Sequence, residues 1–302
     1  MKNMLMHNHK FIIIICMLIA LSSCGDDARL DLIGNISGTS PRIDQRLADS
    51  EAYNATHPVV TIKATNDSYH VYVCTDTHIT TNLDRWNTFV EAYRQDLLCP
   101  VAIHLGDIVD AQNHFDDVYN AFAEIPKNPI KNDTLMLVAG NHDICFNQWK
   151  DFIKTFKTST YYFMVETPQG KKDLYIMFDS AEGTVGSKQL AWLKNTLVWA
   201  KDQNFRHIFA CTHTHFFKRD NSQEVATNLA LEETYTLLNL FQSYGVDMIW
   251  TGHDHSREVT QYKDMTCIIV DSMTDEDKSP GYMRASIGEQ ITYEFLPITI
   301  QL

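Results

Sequence analysis

Residues 101–110 read VAIHLGDIVD, a short apolar run that ends in Gly106, Asp107 and Asp110. The run over residues 101–105 has the length and composition of a buried β-strand. Its polar residues then fall in a loop at the carboxyl end of that strand. In α/β proteins, side chains that bind ligands lie at this end of parallel strands. The stretch therefore predicts an α/β fold with a functional group at the strand end.

The same order of apolar run, polar loop and longer amphipathic stretch recurs along the chain, which predicts layers of strands and helices. Residues 59–62 are predicted to form a first edge strand, and three short strands after residue 284 are predicted to form an antiparallel edge. The other predicted strands cover residues 69–74, 101–105, 135–138, 174–178, 207–211, 248–250 and 266–270. Helices are predicted over residues 82–98, 116–124, 146–155, 188–201 and 229–244.

Five clusters of histidine and carboxylate or amide side chains follow these strands. They are Asp76-Thr77-His78, Gly106-Asp107-Ile108-Val109-Asp110, Gly140-Asn141-His142-Asp143, Thr212-His213-Thr214-His215 and Gly252-His253-Asp254-His255. Because strand ends converge on one crevice, we expect the clusters to meet in space. Imidazole, carboxylate and amide ligands without thiolate suit Mn, Fe or Zn ions in a catalytic site better than a structural zinc site.

Each cluster alone has a structural explanation. Asp76 could cap a helix, His213 could be a satisfied core histidine, and Asp254 could be a solvated surface residue. Five such clusters at successive strand ends, three of them beginning with a glycine suited to a tight turn or a close backbone approach, are improbable by chance. Together they predict a metal site.

The clusters resemble the signature of the calcineurin-like metallophosphoesterase superfamily, which runs D-x-H, G-D-x-x-D, G-N-H-D/E, H and G-H-x-H and here covers residues 76–255. The resemblance implies a four-layer α/β/β/α sandwich, in which two mixed β-sheets are flanked by helices. We expect it to occupy one domain over residues 59–302. It also implies a metal-dependent hydrolase that cleaves a phosphomonoester or a phosphodiester through a metal-bridging hydroxide.

Two divalent transition metal ions, Mn, Fe or Zn, are implied by the same resemblance. One ion would be bound by Asp76, His78 and His255, and the second by Asn141, His213 and His253. Asp107 would bridge both ions. His215 stands where many relatives have a proline, so the choice between His213 and His215 as ligand stays open, with His213 favoured by its place at the strand end.

His142 lies beside a predicted ligand but is not assigned to a metal, so it is expected to stabilise the phosphoryl oxygens or to protonate the leaving group. Asp110 is expected to orient it, as the second Asp of the motif does in similar protein phosphatases. Purple acid phosphatases carry a tyrosine at the position of Asp110, so no obligatory ferric ion is expected here.

The N-terminal residues have the order of an export signal: Lys2 and Lys10, an almost wholly apolar run over residues 11–21, and then Leu21-Ser22-Ser23-Cys24. The last four residues resemble the bacterial lipobox, which implies cleavage after residue 23 and a lipid on Cys24. Residues 24–58 are polar and mixed, and we expect them to form a tether. The expected location is the cell envelope, anchored to the outer membrane on its periplasmic or outer side.

The chain is acidic, with a formal charge of −13. This charge disfavours binding to duplex nucleic acid and favours a small phosphoester substrate. A nuclease is therefore the weaker enzymatic alternative. A lipoprotein that binds a surface partner on a catalytically silent fold is the alternative of a different class. The motifs decide neither between monoester and diester nor the oligomeric state.

Overall fold

The computed structural model of the protein describes residues 42–110, 114–124, 134–217 and 229–299. Two β-sheets occupy the centre of the described part. The strands of the two sheets are β1 Thr61–Lys63, β2 Tyr69–Cys74, β3 Val101–His104, β4 Leu135–Leu137, β5 Tyr161–Glu166, β6 Lys172–Met177, β7 His207–Cys211, β8 Met248–Thr251, β9 Glu258–Tyr262, β10 Met265–Ile269, β11 Gly281–Ile287 and β12 Ile291–Pro297.

Helices cover the outer faces of both sheets. They are α1 Ile43–Asn54, α2 Asp84–Gln95, α3 Phe115–Glu124, α4 Asn141–Ile144, α5 Trp149–Phe156, α6 Gly186–Lys201 and α7 Leu231–Ser243, with a 3₁₀ turn over Cys145–Asn147. The face of α2 shows how the sequence specifies such a helix. Its buried residues include Trp86, Phe89, Val90 and Tyr93, a spacing that repeats on one side of an α-helix.

The larger sheet has the strand order β1-β5-β6-β7-β8-β10-β9, and the smaller sheet has the order β12-β11-β2-β3-β4. Strands β6, β7, β8 and β10 run parallel to one another, as do β2, β3 and β4. The carboxyl ends of each parallel set therefore lie along one edge of its sheet, and the predicted motifs follow these ends. The predicted first edge strand and two of the three short strands predicted after residue 284 are confirmed, because β1 borders the larger sheet and β11 and β12 form the antiparallel side of the smaller one.

Three apolar cores separate four layers. The two sheets face each other through a core that includes Val73, Ile103, Tyr175 and Trp250. A second core joins the smaller sheet to α2, α3 and α5, and a third joins the larger sheet to α6 and α7. The predicted four-layer α/β/β/α sandwich, with two mixed β-sheets flanked by helices, is thus confirmed.

The interpretation of residues 24–58 as a tether is wrong for residues 43–54. These residues form α1, which packs against α6 and β5 and buries Ile43, Arg46, Leu47 and Ser50. Two of these four buried residues are polar, so the helical spacing does not register as an apolar pattern. Residues 1–41, with the predicted signal and Cys24, lie outside the described residues.

Two further strands were not predicted. Strand β5 lies within residues 156–168, where no strand was predicted, although Phe163 and Val165 alternate inward there. Strand β9 is a sheet edge with half-exposed residues, so it lacks an apolar run. The last of the three short strands predicted after residue 284 was expected over residues 298–302; it is wrong at residues 298–299, and residues 300–302 lie outside the described part. Among the described helices, none has the length and apolar character needed to cross a membrane.

Candidate metal centre

The predicted ligands lie on loops at the strand ends of both sheets. Asp76 and His78 follow β2, Asp107 follows β3, and Asn141 begins α4 after β4. His213 follows β7, and His253 and His255 follow β8. Since the two sheets pack face to face, their loops meet at one end of the sandwich. The structure brings all seven predicted ligands together there.

Two glycines of the motifs let the loops approach one another. A Cβ atom on Gly252 would lie 1.9 Å from Thr75 Oγ1 and 2.6 Å from Asp76 Oδ2. A Cβ atom on Gly140 would lie 2.2 Å from Asp107 Oδ1. Such distances are far inside van der Waals contact, so any side chain here would displace a predicted ligand.

The backbone is strained at the predicted ligands. Asp76, His78, Asp107, His253 and His255 all have positive φ, between 42° and 73°. Residues other than glycine seldom adopt this left-handed region, because their Cβ atom meets the backbone. Strained residues of this kind concentrate at functional sites, where the surrounding structure holds them in place.

One group of possible ligand atoms contains Asp76, His78 and His255. Asp76 Oδ1 lies 3.4 Å from Nε2 of His255 and 3.8 Å from Nε2 of His78. The two Nε2 atoms are 3.1 Å apart. Two nitrogens bound to one tetrahedral zinc ion, at about 2.0–2.1 Å each, would be separated by roughly 3.4 Å. The group therefore has the spacing of ligands around one cation.

A second group contains Asp107, His213 and His253, and Asn141 joins it. Nε2 of the buried His213 lies 3.0 Å from Asn141 Oδ1 and 3.2 Å from His253 Nδ1. The other ring nitrogen of His213 lies 2.9 Å from the carbonyl oxygen of Leu105. A proton on Nδ1 would be held by this carbonyl, so that Nε2 offers its lone pair to the cluster.

Asp107 connects the two groups. Its Oδ2 lies 3.4 Å from Nε2 of His213 and 3.7 Å from Nε2 of His78. Its other oxygen accepts a hydrogen bond of 2.7 Å from the backbone N–H of His142. The carboxylate is thus turned toward both groups, as the predicted bridging role requires.

The electrostatics of the cluster favour anionic carboxylates. Burial raises the pKa of Asp76, but the neighbouring His255 and His78 outweigh it and hold this pKa well below its usual value. The pKa of Asp107 is lowered to about 2, because His213 likewise overcomes the effect of burial. Both groups therefore carry a negative charge at neutral pH.

The histidines respond in opposite directions. Burial lowers the pKa of His78 and of His213, yet the adjacent Asp76 and Asp107 raise both to about 9. Burial and the charge of His213 lower the pKa of His253 to about 3. Without a cation, protons on His78 and His213 therefore balance the two buried carboxylates.

The donor set fits divalent cations. Asp76 Oδ1 is buried, and no residue in the described part of the chain donates a hydrogen bond to it. A buried carboxylate oxygen without a donor is costly unless a cation or a proton faces it. The imidazole, carboxylate and amide donors, none of them a thiolate, suit Mn, Fe or Zn.

His142 and Asp110, predicted to take part in catalysis, lie beside the first group. Nδ1 of His142 is 3.1 Å from Asp110 Oδ1, so the predicted pairing is present. The same oxygen lies 3.4 Å from Nδ1 of His78. Asp110 can thus orient a predicted metal ligand as well as His142. His142 is partly exposed, with 36% of its side chain accessible, so its ring can meet a substrate.

The alternative ligand His215 does not belong to either ligand group among the described residues. It is buried and its ring stacks on His253, with 5.7 Å between centroids. His213 instead directs Nε2 at Asn141 and Asp107. The geometry thus favours His213, as the sequence did. His114, which was not among the predicted site residues, bonds to Asp117 at 2.9 Å.

One supporting residue was not assigned a role from the sequence. Asp143 accepts hydrogen bonds from the backbone N–H groups of Ile108 and Gly140, at 2.9 and 2.8 Å. It therefore ties together the loops that carry Asp107 and Asn141. Burial and the charge of Asp107 raise its pKa to about 7. In the sequence, the indication of such a role was its position as the last residue of the Gly-Asn-His-Asp motif.

Comparison with known proteins agrees with this geometry. A family model described as calcineurin-like phosphoesterase matches residues 69–257. A dimetal phosphatase from Danio rerio shares 13% identity over 77% of this chain and 99% of its own, with a TM-score of 0.56. GAP50, the anchor in the inner membrane complex of Plasmodium, shares 14% identity over 76% of this chain and 84% of its own, with a TM-score of 0.56.

A purple acid phosphatase from yellow lupin shares 12% identity over 76% of this chain and 52% of its own, with a TM-score of 0.58. No curated protein matches the sequence. At these identities, the solved structures establish a shared fold.

Proposed function

The chain belongs to the calcineurin-like phosphoesterase family and is thus a metal-dependent phosphoester hydrolase, and on this premise we propose that it works with two divalent metal ions. The observation that carries the proposal is the position of Asp107 between two groups of ligand atoms. Asp76, His78 and His255 would hold one ion, and Asn141, His213 and His253 the other. The proposed substrate is a small phosphomonoester or phosphodiester.

When bound, two such ions would polarise the phosphoryl oxygens and lower the pKa of a coordinated water from about 15.7 to roughly 7. The protein supplies the remaining groups. Asp110 accepts a hydrogen bond from Nδ1–H of His142 and so orients the ring. The Nε2 proton of a protonated His142 can then pass to the oxygen of the departing alcohol.

The strained and tightly bonded loops serve this chemistry by fixing the ligands before a substrate arrives. The hydrogen bond from the backbone N–H of His142 to Asp107 Oδ1, at 2.7 Å, links the proposed acid to the proposed bridging carboxylate. Because this bond joins the loop of Asp107 to the loop of His142, the distance from the acid to the reacting phosphorus is set by the same contacts that set the metal positions.

The test is hydrolysis of p-nitrophenyl phosphate and bis-p-nitrophenyl phosphate by protein stripped of metal and then supplied with Mn²⁺, Zn²⁺ or Mg²⁺. Turnover that requires added metal supports the proposal, and the faster ester identifies a monoesterase or a diesterase. Absence of turnover with every metal favours the alternative of a silent binding protein, and GAP50, an anchor with a similar fold, offers a parallel for such a role. Preferential cleavage of DNA would favour the nuclease.

We propose further that a lipid on Cys24 anchors the protein to the outer membrane. The support is the order of basic residues, apolar run and Leu21-Ser22-Ser23-Cys24 in the sequence. Cys24→Ala protein should appear in the soluble fraction and keep the specific activity of the anchored protein. If the variant still sediments with membranes, the proposed anchor is wrong.

A further inference from the structure

Helix α1 lies outside the residues that the family model matches, which are residues 69–257. It nevertheless makes buried and part-buried polar contacts with the domain, and three of its residues are central here. Arg46, Asp49 and Ser50 each bond to a different segment of the chain. Each of those segments leads to a residue of the candidate metal centre.

The contact of Arg46 is a buried ion pair. Its guanidinium donates from Nε to Asp179 Oδ2 at 2.7 Å and from Nη2 to Asp179 Oδ1 at 3.1 Å. Both side chains are almost fully buried, with 0% and 1% exposed. Two parallel hydrogen bonds between planar groups fix the orientation of both partners. Arg46 therefore anchors the loop that follows β6.

This loop holds the segment of His213. Ser180, next to Asp179, is hydrogen-bonded through its Oγ to the hydroxyl of Thr212 at 2.7 Å, and the same oxygen accepts a hydrogen bond from the N–H of Thr214 at 2.8 Å. The hydroxyl of Thr214 returns a bond of 2.7 Å to the carbonyl of Ser180. The two threonines flank His213, so the position of Ser180 sets the backbone on both sides of that ligand.

The second contact reaches the segment of His142. Asp49 accepts a hydrogen bond of 2.8 Å from Nε1 of Trp149. The preceding residue, Gln148, donates from Nε2 to the carbonyl oxygen of His142 at 2.8 Å. The helix therefore braces the turn that carries the proposed general acid.

The third contact reaches the segment of Asn141. Ser50 Oγ accepts a hydrogen bond of 3.1 Å from the N–H of Ser159. Ser159 Oγ in turn accepts a bond of 2.9 Å from the N–H of Ala139, which lies two residues before Asn141. The ligands Asp76 and His78 are held differently, by backbone bonds to Gly106 and Asp107.

We propose that α1 is a positioning element for one half of the metal centre, with Arg46 as its principal residue. It would order Asn141 and His213, two of the three residues proposed to hold the second ion, while Asp76 and His78 of the first ion depend on other segments. The inference rests on the proposed pair of metal ions. Arg46 acts through Asp179 and Ser180, so it is a positioning residue.

Loss of the Arg46 contacts frees the loop after β6 and, with it, the backbone around His213. Ligands must be held within about 0.5 Å of their productive positions, and the loss of partners behind them typically weakens metal binding by about 10–100-fold. The expected effect is selective: the second ion binds more weakly and the first does not.

The matched control is Arg206, which pairs with Asp173 at the other end of β6, with 3.0 Å between Nε and Oδ1. Asp173 and Asp179 are six residues apart, or about 20 Å along an extended strand. Arg206→Met therefore removes a similar pair from the same strand without touching the metal centre. Arg46→Lys is a milder variant, because lysine keeps the charge but cannot form two parallel bonds.

The experiment titrates Mn²⁺ into metal-free wild type, Arg46→Met, Arg46→Lys and Arg206→Met, with binding followed by calorimetry and the coupling between two Mn²⁺ ions by electron paramagnetic resonance. The inference predicts two ions in wild type and Arg206→Met. In Arg46→Met it predicts an affinity for the second ion lower by at least tenfold and a loss of the coupled signal. The affinity of Arg46→Lys for the second ion should lie between those of the wild type and Arg46→Met. If Arg46→Met does not fold, the same criterion applies to Arg46→Lys.

The outcomes separate the two proposals. Two ions of unchanged affinity in the Arg46 variants, or an equal weakening in Arg206→Met, would overturn the role of α1 while the pair of metal ions stands. Fewer than two ions in the wild type would overturn the pair itself.

Discussion

Oδ2 of Asp107 lies 3.4 Å from Nε2 of His213, one of the residues proposed to hold the second ion. Because the same oxygen also faces His78, replacement by asparagine removes a negative charge that both groups share. Asp107→Asn is expected to lower metal-dependent turnover by at least about 100-fold and to weaken binding of both ions. The prediction is checked by measuring metal-dependent turnover and the affinity for Mn²⁺ in the variant and in the wild type.

The control for this variant is Asp96→Asn. Asp96 pairs with His70 at 2.6 Å. His70 lies at the amino end of β2, whereas the centre lies at the carboxyl ends of the strands, so Asp96 is away from the centre. It should keep wild-type turnover. Similar losses in both variants would indicate a general effect on the fold, and full activity of Asp107→Asn would refute the bridging role.

The role proposed for His142 depends on the leaving group. A general acid typically contributes about 10²–10⁴-fold, and it matters most when the departing alcohol is a strong base. His142→Ala should therefore lower kcat by about 10²–10⁴-fold for an alkyl phosphate and by much less for a p-nitrophenyl ester, whose leaving group needs no proton. Equal losses for both esters would assign His142 to the phosphoryl oxygens instead.

The two neighbouring histidines, His213 and His215, provide a matched pair of substitutions, since both are buried. His213 directs Nε2 toward Asn141 and Asp107, whereas His215 stacks on His253. His213→Ala should bind one ion fewer per chain, and His215→Ala should keep the wild-type count. Metal analysis by mass spectrometry gives both numbers, and the reverse pattern would exchange the two assignments.

Metal binding should strengthen as pH rises. In the metal-free protein the pKa values of His78 and His213 are about 9, so both rings are protonated at pH 7. A metal ligand must be neutral, so each ring releases a proton on binding. Apparent affinity should increase between pH 6 and pH 9 by up to about tenfold per pH unit for each proton released, and level off above pH 9.

Calorimetry at pH 7 in buffers with different ionisation enthalpies counts these protons. We expect about two protons per chain when both ions bind. A heat of binding that does not vary with the buffer would contradict the protonated state of the two histidines.

Much of the centre could be predicted because its residues are adjacent in sequence to buried strands. Asp76, Asp107 and His213 each follow an apolar run within two residues, and parallel strands bring such positions together. The role of Asp143 was harder to predict, because its bonds to the N–H groups of Ile108 and Gly140 depend on how two loops pack.

Helix α1 could not be predicted for a different reason. Its inward face carries Ile43, Arg46, Leu47 and Ser50, which have helical spacing but include a cation and a hydroxyl. An arginine is compatible with the interior because Asp179 and Glu182, from a distant part of the chain, neutralise it. Sequence periodicity registers apolar residues, and it cannot register a charge whose partner lies 133 residues away.

The most direct test of the central claim is the number of metal ions bound by the wild-type chain, measured on metal-free protein after titration with Mn²⁺ or Zn²⁺ and removal of excess ion. Two ions per chain, with turnover that appears as the second ion binds, are expected from two ligand groups that share Asp107. One ion or none at saturation, or turnover that persists without metal, would contradict the account.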